Sequence, residues 1–130
     1  MKYRSTRWRS NTVNFSEALV QGLANDGGLF VPIRIPSIDQ EKARELALSS
    51  HWSEFAALVL SPFLADDALQ GFLNSIAKEA FSFPIPLTRL DERTSLLELY
   101  HGPTAAFKDV GARFLASCLS RLAEIRKLEF

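Results

Sequence analysis

HGPTAAFKD, residues 101–109, separates a short apolar run from a long amphipathic pattern. Leu96 to Tyr100 is almost continuously apolar, which is typical of a strand buried on both faces of a sheet. Gly102-Pro103 ends that strand, because glycine permits unusual backbone angles and proline lacks an N–H donor. After Lys108 the apolar residues recur with spacings of one, three and four, which predicts a helix. They are Val110, Phe114, Leu115, Cys118, Leu119 and Leu122.

Lys108 is predicted to lie at or just before the N-terminus of that helix. A cation there is unfavourable by ~0.3–1 kcal/mol at an exposed site. One interpretation is a solvated lysine beside a capping aspartate, Asp109. The other is a nucleophilic amine, which requires that the ordinary lysine pKa of about 10.4 be lowered by desolvation or by positive charge. Phe107 and the alanines before it offer apolar cover, and the residues alone leave both interpretations open.

The longer run LELYHGPTAAFKD, residues 97–109, resembles the cofactor-lysine segment of the threonine synthase family. The resemblance extends to the amino end, through MKYRSTR at residues 1–7, FSEAL at 15–19 and GLANDGGLFVP at 22–32. Trp8 and Arg9 depart from the glycine that is common at that turn. The match is long and specific, and it favours the functional interpretation of Lys108.

The resemblance implies that Lys108 forms a Schiff base with pyridoxal 5'-phosphate (PLP) and that Phe107 belongs to the same cofactor site. His101 is expected either to contact the cofactor or substrate or to stabilise the turn. Thr104 is expected to cap the turn through its hydroxyl, and Asp109 to orient the helix and the lysine. Glu98 is expected to be an edge residue or a buried carboxylate paired with an arginine.

The implied activity is that of a PLP-dependent lyase converting O-phospho-L-homoserine and water to L-threonine and phosphate. Two alternatives stay open. One is a related phospho-lyase that releases 2-oxobutyrate. The other is a non-catalytic docking module, which would expose the apolar face of the last helix and self-associate; that face comprises Phe114, Leu115, Leu119 and Leu122.

Composition narrows the class of protein. The chain has 130 residues, 47% hydrophobic and 23% charged, which is enough for one globular domain. Fifteen basic and fifteen acidic residues give no net attraction to nucleic acid or to a membrane surface.

No signal peptide and no span of ~20 apolar residues is recognised. The lone Cys118 is predicted to be a buried packing residue, and it fits a reducing cytoplasm. No spacing of potential ligands suggests a metal site.

Local signals predict the remaining elements. A strand is expected over residues 3–8, paired with a second one over 29–32. A helix is expected to start at Asn14, with Glu17 completing a capping box. Its inward face should be formed by Ala18, Leu19, Gly22 and Leu23. Further helices are predicted from 40 to 48 after Asp39, from about 53 to Pro62, and from Asp66-Asp67 through Ala80.

We therefore expect an α+β fold. The resemblance to the threonine synthase family implies that residues 1–90 form a helix-rich amino-terminal domain with a few short strands. It also implies that residues 91–130 begin a fold-type-II α/β domain of the tryptophan synthase β type. One glycine, Gly111, lies among the 22 residues after Lys108, so a phosphate cradle is not recognisable there. The resemblance implies that such a cradle lies later in a chain several times as long. The chain is therefore expected to be an amino-terminal portion, inactive alone, whose partner is the remainder of its own polypeptide.

Overall fold

A computed structural model describes residues 1–49 and 51–127. Within these ranges it contains five α-helices and four short strands, which confirms the predicted α+β class. None of the helices in the described ranges has the length and apolarity needed to cross a membrane. In chain order the elements are β1 Tyr3–Ser5, α1 Phe15–Gln21, β2 Phe30–Pro32, α2 Gln40–Leu48, α3 Trp52–Leu60, α4 Leu73–Ala80, β3 Leu87–Arg89, β4 Ser95–Leu97 and α5 Lys108–Arg126.

The amino-terminal strands and the first helix form largely as predicted. β1 and β2 are antiparallel, with Tyr3 opposite Pro32. At the start of α1, Asn14 Oδ1 accepts a hydrogen bond from Glu17 N at 2.8 Å, and Glu17 Oε2 accepts one from Asn14 N at 2.8 Å. This reciprocal capping box satisfies two backbone donors that a helix leaves unpaired.

Two predictions for this region are wrong. The first strand ends at Ser5 rather than at residue 8, because the chain turns there and Trp8 adopts a φ of +60°. The Arg4 guanidinium lies 3.4 Å from the centre of the Trp8 ring. Leu23 is 57% exposed rather than inward. The reason is that α1 already ends at Gln21, and Gly22, with φ +72°, redirects the backbone.

α2 and α3 follow the predicted helices closely. Asp39 caps α2 by accepting a hydrogen bond from Lys42 N at 3.1 Å. α3 begins at Trp52, whose ring packs edge-to-face against Phe55 with the ring centres 5.8 Å apart. Pro62 lies just past α3, in a 3-10 turn over Ser61–Leu64.

α4 starts later than the sequence predicts. A helix was expected from Asp66-Asp67, whereas α4 begins at Leu73 after a 3-10 turn over Gln70–Phe72. Asp66 has a φ of +62°, which is incompatible with a continuing helix. Asp67 is buried and accepts hydrogen bonds from Ser16 N at 2.8 Å, from Ser16 Oγ and from Leu69 N at 3.0 Å. Asp67 therefore connects the first turn of α1 to the segment that precedes α4.

The core lies where α3, α4 and α5 meet. It is built from an apolar stripe of α4 and from the inward face of α5. Cys118 and Leu122 are both completely buried, which confirms the packing role predicted for the cysteine. It also contradicts the exposure of Leu122 that the docking-module alternative required. The buried members are Ala57, Leu64, Leu69, Leu73, Ile76, Ala77, Cys118 and Leu122.

The strand before the lysine segment differs most from its prediction. It spans Ser95–Leu97 and pairs antiparallel with β3 alone among the described residues, with Thr88 opposite Leu96. Leu96 is 42% exposed and Leu97 47% exposed, so neither face of this strand is buried. A two-stranded sheet supplies one neighbour, which cannot cover both faces.

Candidate functional site

Lys108 is the first residue of α5, which confirms its predicted place at a helix N-terminus. Its side chain is exposed on one side of an open, apolar pocket of about 510 Å³. The pocket lies between the segment that follows β4 and the first turn of α5. Its lining residues are Leu99, Phe107, Lys108, Val110, Gly111 and Ala112.

The loop before Lys108 is held by Asp109. Asp109 Oδ2 accepts a hydrogen bond from Thr104 N, and Oδ1 accepts one from Thr104 Oγ1, each at 2.8 Å. These two bonds, the side-chain bond first, hold the pKa of Asp109 below its ordinary value. Thr104 thus caps the turn through its hydroxyl as predicted, and Asp109 fixes the loop on the helix.

Two backbone features show how tightly this loop is folded. A Cβ at Gly102 would clash with Asp109 Oδ2, so no larger residue fits without moving that carboxylate. Ala105 has a φ of +54°, a left-handed conformation that residues other than glycine rarely adopt. Its N–H donates to Gly102 O at 3.0 Å. Backbone strain of this kind is often found at functional sites.

A second polar cluster surrounds Glu98 on the approach to the loop. Glu98 Oε1 accepts a hydrogen bond from Thr88 Oγ1 at 2.6 Å, and Oε2 lies 2.6 Å from His101 Nε2. These contacts, led by Thr88, lower the pKa of Glu98, and the Tyr100 hydroxyl adds to the effect. The tilted rings of Tyr100 and His101 are 4.7 Å apart. Glu98 is therefore paired with His101, and the expected arginine partner is wrong.

Arg113 was not recognised from the sequence, although it fixes the orientation of α5. Its guanidinium donates from Nε to Ala80 O at 2.9 Å and from Nη2 to Glu79 O at 2.8 Å. The backbone carbonyls at the C-terminus of α4 are thereby satisfied. The sequence signal by which Arg113 could have been recognised is its position four residues after Asp109 on the same helix. The Arg113 charge contributes to the lowered pKa of Asp109.

The arrangement provides a primary amine on the first residue of a long helix, beside an apolar pocket. Such an amine can bond covalently to a carbonyl compound. The backbone N–H groups of the helix N-terminus favour a nearby anion. Phe107, 66% exposed, borders the same pocket. Lys108 and Phe107 are thus brought together, while His101 and Thr104 lie on the preceding loop.

Comparison with known proteins identifies the family. A family model described as "Threonine synthase N terminus" matches residues 2–81. The chain is 36% identical over 123 residues to the threonine synthase of Escherichia coli strain K12, covering 95% of this chain and 28% of that protein. Against the threonine synthase of Saccharomyces cerevisiae it is 37% identical over 131 residues, covering 88% of this chain and 24% of that protein.

Solved structures agree with the sequence comparison. A PLP-bound threonine synthase from Brucella melitensis superposes with a TM-score of 0.87 at 38% identity, over 98% of this chain and 28% of that one. The threonine synthase of Escherichia coli superposes with a TM-score of 0.83 at 36% identity, over 95% and 28% of the two chains. The chain thus spans about a quarter of the length of these relatives, 24–28%. With the family model matching more than half of its residues, the chain belongs to the threonine synthase family, at the N-terminal region of its members.

Proposed function

We propose that this chain supplies the lysine side of the active site in a PLP-dependent lyase that converts O-phospho-L-homoserine and water to L-threonine and phosphate. The activity is proposed for a protein of the relatives' length that contains this chain. The observation that carries the proposal is Lys108, the first residue of α5, beside an apolar pocket and a loop that Asp109 holds.

The residues around Lys108 are suited to PLP. Small-molecule sites are concave, mostly apolar and of ~300–1,000 Å³, and this pocket, at about 510 Å³, falls within that range. An aromatic wall, Phe107, and a primary amine meet in it. PLP, when bound, supplies an electron sink for carbanions formed on the amino acid.

Each residue of the site has a proposed role. Lys108 Nζ holds the cofactor and, when released from it, accepts and returns protons at the reacting carbons. Phe107 shields the amine from water on the open side of the pocket. Asp109 and Thr104 fix the loop, so that Nζ stays in place while protons move.

The domain division belongs to the same proposal. Residues 1–90 would form the amino-terminal domain, and residues 91–130 would begin the PLP domain. The β3–β4 hairpin spans that boundary, since Leu87 lies opposite Leu97. The remainder of the polypeptide would bind the phosphate and the pyridine nitrogen of the cofactor. The isolated 130-residue chain is accordingly predicted not to turn over substrate, and a cytoplasmic location is proposed with this function.

Product analysis tests the proposal. A protein of the relatives' length that contains this chain is expected to release threonine and phosphate from phosphohomoserine. Lys108→Ala should abolish the reaction, whereas Lys78→Ala, which removes an exposed lysine on α4, should retain it. Release of 2-oxobutyrate and ammonia instead would favour the related phospho-lyase, and full activity of Lys108→Ala would contradict the proposal.

A further inference from the structure

The cluster around Glu98 has a consequence for the chemistry of His101. The Glu98 side chain is 16% exposed and that of His101 34% exposed, so their contact is partly shielded from water. Because the pKa of Glu98 is lowered, its carboxylate is ionised at neutral pH and can only accept hydrogen bonds. His101 Nε2 must therefore carry the proton that lies between the two groups.

The orientation of Glu98 is itself fixed by the hairpin. Its other oxygen accepts from Thr88 on β3, and its backbone N–H donates to Pro86 O at 2.9 Å. The carboxylate is thus held at both ends before it meets the imidazole. Carboxylate–histidine pairs of this kind select one tautomer and set the orientation of the ring.

His101 lies between two residues that contact the start of α5. Leu99, two residues before it, lines the same pocket as Lys108. Gly102, directly after it, packs against the carboxylate of Asp109. The histidine is thereby held between two residues that meet the start of α5, although it is not among the residues that line the pocket. Among the hydrogen bonds of residues 1–49 and 51–127 its Nδ1 has no partner.

We propose that Glu98 is a positioning residue that fixes His101 with its proton on Nε2 and so presents Nδ1 as a hydrogen-bond acceptor to a donor group of the molecule bound at Lys108. The proposal rests on the proposed function for the identity of the site. It assigns a role to the contact between Glu98 and His101, which was not predicted from the sequence.

Nitrogen-15 NMR of the two histidine rings tests the positioning role. Neutral histidine in water exchanges between two tautomers, so its ring nitrogens give averaged shifts. At about pH 9, where an ordinary histidine is neutral, His101 in the 130-residue chain should show the shifts of a single Nε2–H tautomer. Glu98→Ala should move them toward the averaged values, and Thr88→Val, which keeps Glu98, should move them less in the same direction.

His51 and Glu92 provide matched controls. His51 Nδ1 contacts Ser49 Oγ and not Glu98, so its shifts should stay unchanged in every variant. Glu92→Ala removes an exposed carboxylate from the β3–β4 turn and should leave His101 as in the wild type. A wild-type His101 with the averaged shifts, or one that neither Glu98→Ala nor Thr88→Val alters, would overturn the positioning role.

A second measurement tests the place of His101 in the site. A protein of the relatives' length that contains this chain is treated with PLP and borohydride, and the product labelled at Lys108 is compared with unlabelled protein. The reduced adduct carries O–H and N–H donors, so the His101 Nδ1 shift should change while that of His51 does not. A labelled Lys108 with an unaltered His101 would refute the proposal and leave the proposed function standing. Label distributed among other lysines would count against the proposed function, and the tautomer result would still decide the role of Glu98.

Discussion

At the scale of single residues, Ala105 carries the backbone strain of the lysine loop. Its φ of +54° costs roughly 1 kcal/mol for any residue with a Cβ. Asp109 compensates by bonding twice to the neighbouring Thr104, so the loop keeps this conformation. The strained residue is therefore part of the loop that leads directly into Lys108.

Ala105→Gly is expected to raise the free energy of unfolding by up to about 1 kcal/mol, because glycine adopts the left-handed conformation without a steric penalty. Urea denaturation measures the change. Ala106→Gly is the matched control, since it adds chain entropy to the unfolded state without relieving strain; it should destabilise by about 0.4–1 kcal/mol. An Ala105→Gly variant less stable than Ala106→Gly would show that the strain has been misassigned.

Interactions between residues close in sequence were predictable from the sequence, whereas hydrogen bonds between residues far apart in sequence were not. The capping box at Asn14 and the cap at Asp39 depend on hydrogen bonds between residues three positions apart, and both form as expected. The bond from Ser16 to Asp67 joins residues 51 positions apart, and the Arg113–Ala80 bond joins residues 33 apart. Such partners are chosen by tertiary packing, which a local pattern does not encode. Glu98 was misjudged for the same reason, because Thr88 faces it only once the hairpin has formed.

At the scale of elements, α5 is attached to α4 by the polar side chain of Arg113 as well as by the apolar core. Arg113 reaches the last carbonyls of α4, and its Nη2 also lies 3.0 Å from Ser82 Oγ. The same helix carries Lys108 and Asp109 at its start. The position of the lysine therefore depends on the amino-terminal helices.

Arg113→Ala is expected to lower the free energy of unfolding by about 1.5–3 kcal/mol, since hydrogen bonds from a charged donor to partly buried carbonyls are lost. Thermal unfolding followed by circular dichroism provides the measurement. Arg121→Ala, which breaks an exposed pair with Glu124 at 2.8 Å, should cost below about 1 kcal/mol. Equal losses in the two variants would contradict the anchoring role of Arg113.

α1 is attached to the rest of the molecule through Asp67. Asp67→Asn replaces an oxygen that accepts from Ser16 or Leu69 by an N–H₂ group, which leaves a buried donor facing another donor. We expect a loss of about 1–3 kcal/mol in unfolding free energy, measured with urea. Asp66→Asn, which alters a fully exposed neighbour, should change stability by less than about 0.5 kcal/mol. An unchanged urea midpoint for Asp67→Asn would contradict the role of Asp67 in attaching α1.

At the scale of the whole molecule, burial makes the fold sensitive to alkali. Desolvation, with a smaller contribution from Asp67, raises the pKa of Tyr3 and that of Cys118 to about 12 each. In the unfolded chain these groups titrate near their ordinary values of 10.0 and 9.0. Between those values and about 12 the folded state binds more protons than the unfolded state, so stability falls as pH rises.

The melting temperature should therefore decline as the pH is raised from about 9 toward 12, and Cys118→Ala should reduce the steepness of that decline. Cys118→Ala also loses packing at neutral pH, so the slopes are compared rather than the absolute values. Identical slopes for the two proteins would mean that the thiol is not the titrating group.

The family and the α+β class were recognisable from the sequence, whereas the exposure of β4 was not. Leu96 and Leu97 have the composition of a buried strand, yet each is exposed beside a single antiparallel neighbour. Apolar composition indicates where a strand can be buried but not which elements cover it. The predicted domain boundary near residue 90 stays a prediction.

The central claim is that one amine, Lys108 Nζ, holds the cofactor. The most direct measurement is borohydride reduction of the PLP-loaded protein of the relatives' length, followed by mapping of the labelled peptide. One pyridoxyl label is expected, on the peptide that contains Phe107-Lys108-Asp109, and none on the peptides of Lys2, Lys42, Lys78 or Lys127. A label confined to any lysine other than Lys108 would contradict the claim.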